Sequence, residues 1–235
     1  SHVLTIESEA EAETLSGAGY DTAAFVSNLF LRPGLGFEQG FDTYSCPRPR
    51  WVGNSAESIT AEALAWLEAR SDEDRPFFLW VHYLDPHWPY EPPPDLAHEV
   101  DPDWGDEGEA SAREAILAAS EGERIFFADE HLGPELIEHL ERMYLAEVMA
   151  TDRAIGRLVE GLEAQGRLAE SVLALTADHG ESLGEHRYWF AHGEYLYDVS
   201  LRVPLLFVAP GLIPPGRRIE RQATLADVTP TLLDV

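Results

Sequence analysis

The sequence predicts an α/β fold, with a mixed, mainly parallel sheet between helix layers, over 235 residues. Pro76 to Tyr83 (P-F-F-L-W-V-H-Y) is a near-continuous apolar run, the pattern of a central parallel strand covered on both faces. Val172 to Ala177 is another apolar run, and it stops abruptly at Asp178-His179-Gly180. Between them, Leu140, Met143, Tyr144, Val148, Ile155, Leu158 and Leu162 form one apolar stripe on a helix from Pro134 to about Gln165, which Gly166 ends. A chain of this length buries a core of its own, and 1–235 is read as one domain.

The remaining elements follow in order. Ala10 to Ala18 is rich in Ala and Glu and reads as a helix that Gly19 stops. Thr22 to Val26 reads as a short buried strand, and the Gly- and Pro-rich stretch 32–54 as loop. Ser55 is placed to cap a helix reaching Arg70, with Ile59, Ala63, Trp66 and Leu67 on its inner face. Residues Glu91 to Glu130 are Pro-rich, then strongly acidic, and read as an exposed insertion with at most one short helix, Ala110 to Ala119. A strand at 203–209 and a helix starting near Asp227 complete the order.

Forty-three acidic residues stand against sixteen basic ones, all arginine, for a formal charge of −27. Such a surface repels nucleic acid and anionic membranes, so no nucleic-acid partner is expected. No apolar run is long enough for a membrane-spanning segment. The lone Cys46 excludes a disulfide within the chain and reads as a loop cysteine.

The chemistry concentrates just after predicted strands. Ligands bind at the carboxyl ends of strands in open α/β sheets. There Asp178 and His179 offer a hard oxygen and a borderline nitrogen to a divalent cation, and Gly180 lets the chain turn away. His87 follows the central strand between Pro86 and Pro89, whose rigid backbone would aim an imidazole at an oxyanion or a leaving group. His192, between Ala191 and Gly193, is placed to give a proton to a leaving oxygen. Glu181 and His186 are read as ordering the loop, Asp85 as bonding locally, and His82 as a core histidine. His98, His131 and His139 receive no role.

An ordered set of segments resembles the sulfatase family of the alkaline phosphatase superfamily. They are G-A-G-Y-D-T-A-A-F from Gly17, G-F-E-Q-G-F-D from Gly36, P-F-F-L-W-V-H-Y-L-D-P-H-W-P-Y from Pro76 and D-H-G-E-S-L-G-E-H from Asp178. H-G at His192, L-Y-D from Leu196, R-V-P-L-L-F from Arg202 and D-V-T-P-T-L-L-D from Asp227 complete the set. The resemblance implies an alkaline phosphatase-like three-layer sandwich and a metal-dependent hydrolase of sulfuric esters, acting on a small-molecule or glycan sulfate ester. It implies a divalent cation, calcium before manganese or zinc, held in part by Asp178 and His179, and a formylglycine nucleophile. It places His87 against the substrate and His192 where many members carry a sulfate-binding Lys, a change that brings the group's titration near neutrality. It also implies a periplasmic or extracellular protein, with a cytoplasmic one left open.

The formylglycine motif, C/S-x-P-x-R, is expected upstream of G-Y-D-T-A, which here begins at Gly19. Ser45-Cys46-Pro47-Arg48-Pro49-Arg50 fits that motif in neither register. An internal fragment of the catalytic domain, truncated at both ends and inactive alone, is therefore expected. The alternatives left open are a phosphodiester or phosphonate monoester hydrolase of the same superfamily and a non-catalytic metal- or anion-binding domain.

Overall fold

The structure is a computed structural model, which describes residues 11–47, 56–70, 75–103 and 132–234. It divides into two compact units, 1–107 with 138–158, and 108–137 with 159–235.

In the first unit, helix α1 (Glu11–Gly17) turns at Gly19 into strand β1 (Asp21–Val26). Thr22, Ala23, Ala24 and Val26 are wholly buried, because β1 is flanked by β2 (Thr43–Ser45) and β3 (Phe77–His82), both parallel to it. The small side chains of β1 leave room for aromatic ones around it. Phe41 stacks near Phe78 and Trp80, while Trp66 of α2 (Ala56–Ala69) meets Phe25 and Phe77. Helix α2 buries Ile59, Ala63 and Leu67 as its periodicity predicts, with Trp66 only half-buried. Asp21 anchors the start of β1 through ion pairs to Arg70 and Arg75.

Three expectations change here. The central strand among those described is β1 rather than β3, and all six residues of β3 are half-buried. Strand β2 lies inside the stretch read as loop; it is too short for a period to show. Helix α3 (Pro94–Val100) occupies the start of the stretch read as an exposed insertion. Pro94 suits the first helical turn, where no N–H is needed, and Leu96 is buried against Ala146 and Ala150. Ala110 to Ala119, His131 and the Ser55 cap lie outside the described residues.

Helix α4 (Pro134–Ala164) matches the predicted long helix. Its inner face includes Leu140, Met143, Ala146, Ala150, Ala154 and Leu158, whereas Val148 of the predicted stripe faces outward. His139, which had no assigned role, is buried and bonded to the equally buried Asp101 at 2.8 Å, and Arg142 takes the other oxygen at 2.7 Å. This ties the end of α3 to α4. The carboxyl ends of β1 and β3 are joined by Ser27, whose hydroxyl donates to the His82 carbonyl and accepts the Leu84 N–H.

In the second unit, β4 (Leu173–Thr176) pairs antiparallel with β7 (Leu205–Val208). Between them lie the hairpin β5–β6 (Ser182–Leu183 and Trp189–Ala191) and the one-turn helix α5 (Asp198–Leu201). Helix α6 (Val228–Asp234) follows Asp227, whose side chain closes a capping box with Thr224. Among the described residues, no helix is long and apolar enough to cross a membrane.

Candidate active site

Strand β4 ends where its apolar run ends, so Asp178 to Glu181 leave the sheet at a carboxyl end, as predicted. Asp178 is solvent-facing, its side chain 75% exposed, and one of its oxygens accepts the His179 N–H at 3.0 Å. His179 Nδ1 lies 2.9 Å from the Gly180 carbonyl. A carbonyl only accepts, so Nδ1 carries a proton, and in the neutral ring Nε2 holds the lone pair. That Nε2 lies 3.7 Å from Asp178 Oδ1.

Gly180 serves this geometry in an unexpected way. It does not adopt a positive φ. It is small because its backbone lies against α5, with its N–H donating to the Ser200 carbonyl at 2.9 Å. A Cβ there would overlap the carbonyl oxygen of Val199.

His192 stacks on His179, with ring centroids 3.6 Å apart and planes at 21°. Its Nδ1 donates to the buried Glu181 carboxylate at 3.2 Å. Glu181 raises the His192 pKa above 6.5 by that hydrogen bond and by its charge; burial opposes this, and Asp178 and Glu194 reinforce it. His186 stacks on Tyr197 at 4.0 Å, within a hairpin whose His186, Arg187 and Phe190 all hold positive φ. Asp178, His179, Glu181 and His192 thus form one cluster.

His87 belongs to the first unit, in the loop between β3 and α3. Its Nδ1 donates to the Trp88 carbonyl at 2.6 Å, which fixes the ring relative to its own backbone. His82 lies at the end of β3 with its ring edge-on to Trp80, half-buried rather than in the core. Cys46 follows β2, its thiol 3.7 Å from the Asn28 carbonyl, and burial pushes that thiol's pKa up. This is the opposite of an activated nucleophile.

The profile of the sulfatase family matches residues 10–235. The chain belongs to the sulfatase family. An arylsulfatase of Clostridium perfringens is 27% identical over 188 residues, covering 75% of this chain and 37% of that protein. A choline-sulfatase of Rhizobium meliloti is 28% identical over 189 residues, 75% of this chain and 35% of that one. The chain therefore spans about a third of the length of these relatives. Among solved structures, a protein in complex with its substrate D-glucosamine-2-N,6-O-disulfate superposes with a TM-score of 0.74 at 22% identity, over 97% of this chain and 60% of that one. A phosphonate monoester hydrolase from Silicibacter pomeroyi gives 0.71 at 22% identity, over 97% and 57%. The α/β fold class and the alkaline phosphatase-like superfamily agree with the sequence reading.

Sulfatases generally use a divalent cation and a formylglycine. The donors at the end of β4 suit such a cation, since a carboxylate oxygen and an imidazole lone pair lie side by side on an open face. Bound there, a cation would find in them part of a ligand set. No group of three or more His, Cys, Asp or Glu able to hold a metal occurs among the described residues.

Glu147 of α4 escaped the sequence reading. It lies on the inner face, 2% exposed, and its two oxygens accept the backbone N–H groups of His87 (3.2 Å) and Glu91 (2.7 Å). Burial pushes its pKa up to about 8, aided by the nearby Asp85 and Glu91 charges and opposed by the two N–H donors. An acid one turn from Tyr144 and one turn from Thr151, inside an apolar stripe, was the signal.

Proposed function

We propose that this chain is the part of a sulfuric ester hydrolase that carries the cation loop and the substrate histidines. The observation that supports this best is the cluster of Asp178, His179, Glu181 and His192, within a sequence that belongs to the sulfatase family. Asp178 and His179 would hold the cation, calcium in the first instance, through the carboxylate and Nε2. When bound, it would offset charge on the sulfuryl oxygens. His192, kept protonated to higher pH by Glu181, would hold a sulfuryl oxygen or supply the proton to the departing one. His87, with Nδ1 committed to Trp88, would present Nε2 to the ester. The substrate would be a small-molecule or glycan sulfate ester. A phosphonate monoester or phosphodiester is the second reading, because the fold is shared with a phosphonate monoester hydrolase.

Parallel rates on an aryl sulfate and an aryl phosphodiester, measured with the intact gene product, test the choice. The sulfate should turn over faster, and His87→Ala and His192→Ala should each lower kcat/KM by about 10²-fold. A preference for the phosphodiester would overturn the reading, and unchanged rates in both variants would remove these residues from it. Because the Glu181-raised pKa governs the charged form, activity that depends on His192 should fall as pH rises through that value. His192→Lys should move the fall to higher pH.

Cation binding is checked separately by calorimetric titration of calcium. Hard cations want about six to eight oxygens, so a carboxylate and an imidazole alone should bind with roughly millimolar affinity. Asp178→Asn should abolish it. Tight binding that survives Asp178→Asn would place the cation elsewhere.

A further inference from the structure

A buried carboxyl on the apolar face of a helix is costly unless it is matched by donors. Glu147 is matched by backbone donors alone among its described bonds, and both belong to the His87 loop. One turn along α4, Thr151 donates to the Asp85 carbonyl at 3.2 Å and to the Glu147 carbonyl at 3.0 Å. One turn the other way, Tyr144 meets Tyr90 edge-on at 5.4 Å, and Tyr90 in turn meets Trp88. The face of α4 therefore grips the loop at Asp85, His87, Tyr90 and Glu91. Within the loop, the His87 ring is fixed to the Trp88 carbonyl. Ring orientation thus depends on loop backbone, and loop backbone depends on Glu147.

We propose that Glu147 is a positioning residue, whose two carboxyl oxygens hold the backbone of the 85–91 loop so that His87 is presented in one orientation and one tautomer. Its relevance to turnover rests on the reading that His87 meets the ester. An apolar residue would fill the same space but take away the carboxyl acceptor of both N–H groups. A glutamine at this position would offer one acceptor oxygen and one NH₂ group, which cannot accept, so it would satisfy one of the two N–H groups.

Amide hydrogen exchange and ¹⁵N spectra of the histidine rings test the positioning directly. In Glu147→Ala, exchange at the His87 and Glu91 amides should speed up by about tenfold or more relative to other amides of the same unit. The His87 ring should also lose its Nδ1–H pattern. In Glu147→Gln, which guards against misfolding of the alanine variant, one of the two amides should lose protection and the other keep it. Unchanged exchange at both amides in either folded variant would overturn the proposal.

A double-mutant comparison in the intact gene product then ties positioning to turnover. Glu147→Ala should lower kcat/KM on an aryl sulfate by about tenfold or more, and should add nothing further in a His87→Ala background. Fully additive losses would overturn the link between the two residues. If His87→Ala leaves turnover intact, the ester-contacting reading of His87 fails, and the exchange and ring spectra alone decide whether Glu147 positions it.

Discussion

The thermal midpoint of the chain should fall as pH rises from about 5 to about 9, and Glu147→Gln should flatten that fall. The cause is burial, which lifts the Glu147 pKa from 4.5 to about 8, helped by Asp85 and outweighing the His87 and Glu91 N–H donors. In the unfolded chain the group titrates at its ordinary value. Between the two values the folded protein keeps a proton that the unfolded chain has released, so stability declines with rising pH. The contribution is fully present below the unfolded value and lost as pH rises through about 8. A shift of this size corresponds to roughly 5 kcal/mol, comparable to the whole stability of a marginal domain. His192, also raised, gives a fall of the same sign that starts from 6.5, so the wild-type-minus-variant difference isolates Glu147. Glutamine has no proton to lose, and scanning calorimetry across that range should show the difference. Parallel slopes in both proteins would mean that Glu147 is ionised in the fold at all these pH values.

Glu147 also marks where sequence reading reached its limit. The long helix was legible because Leu140, Met143, Leu158 and Leu162 keep helical spacing over its length. The same periodicity hid Glu147, because an acid within an apolar stripe is usually read as an interruption, and its partners are backbone groups with no side-chain signature. The Asp101–His139 pair was hidden for a related reason: its members are separated by 38 residues, with an acidic stretch between them. Strand β2 and hairpin β5–β6 are two or three residues per strand, too short to alternate, and the hairpin turns on positive φ at His186 and Arg187 rather than at glycines alone. The cluster at the end of β4 was legible because a strand ending in Asp-His is local in sequence. That His192 would stack on His179 and bond to Glu181 follows from the hairpin, which brings Ala191 beside Ser182.

Gly180→Ala should be among the most damaging single-atom additions in the second unit. The added Cβ would overlap the Val199 carbonyl oxygen and come 3.1 Å from its carbon. Both are backbone atoms, so no flexible side chain can swing away, and the 178–181 segment must retreat from α5. That movement would stretch the Gly180 N–H bond to the Ser200 carbonyl and carry Asp178, His179 and Glu181 with it. Overpacking of this kind costs about 1–3 kcal/mol, which a urea midpoint resolves. Gly193→Ala is the informative comparison, because Gly193 has φ +97 but nothing within 4 Å of a Cβ. It should bear only a conformational cost of about 1–2 kcal/mol and leave the cluster in place. Ring resonances report the difference, since stacked imidazoles shift each other strongly at 3.6 Å. The His179 and His192 signals should move in Gly180→Ala and hold nearly still in Gly193→Ala. A Gly180→Ala protein with the wild-type urea midpoint and unmoved ring signals would show that α5 does not hold the 178–181 segment against β4.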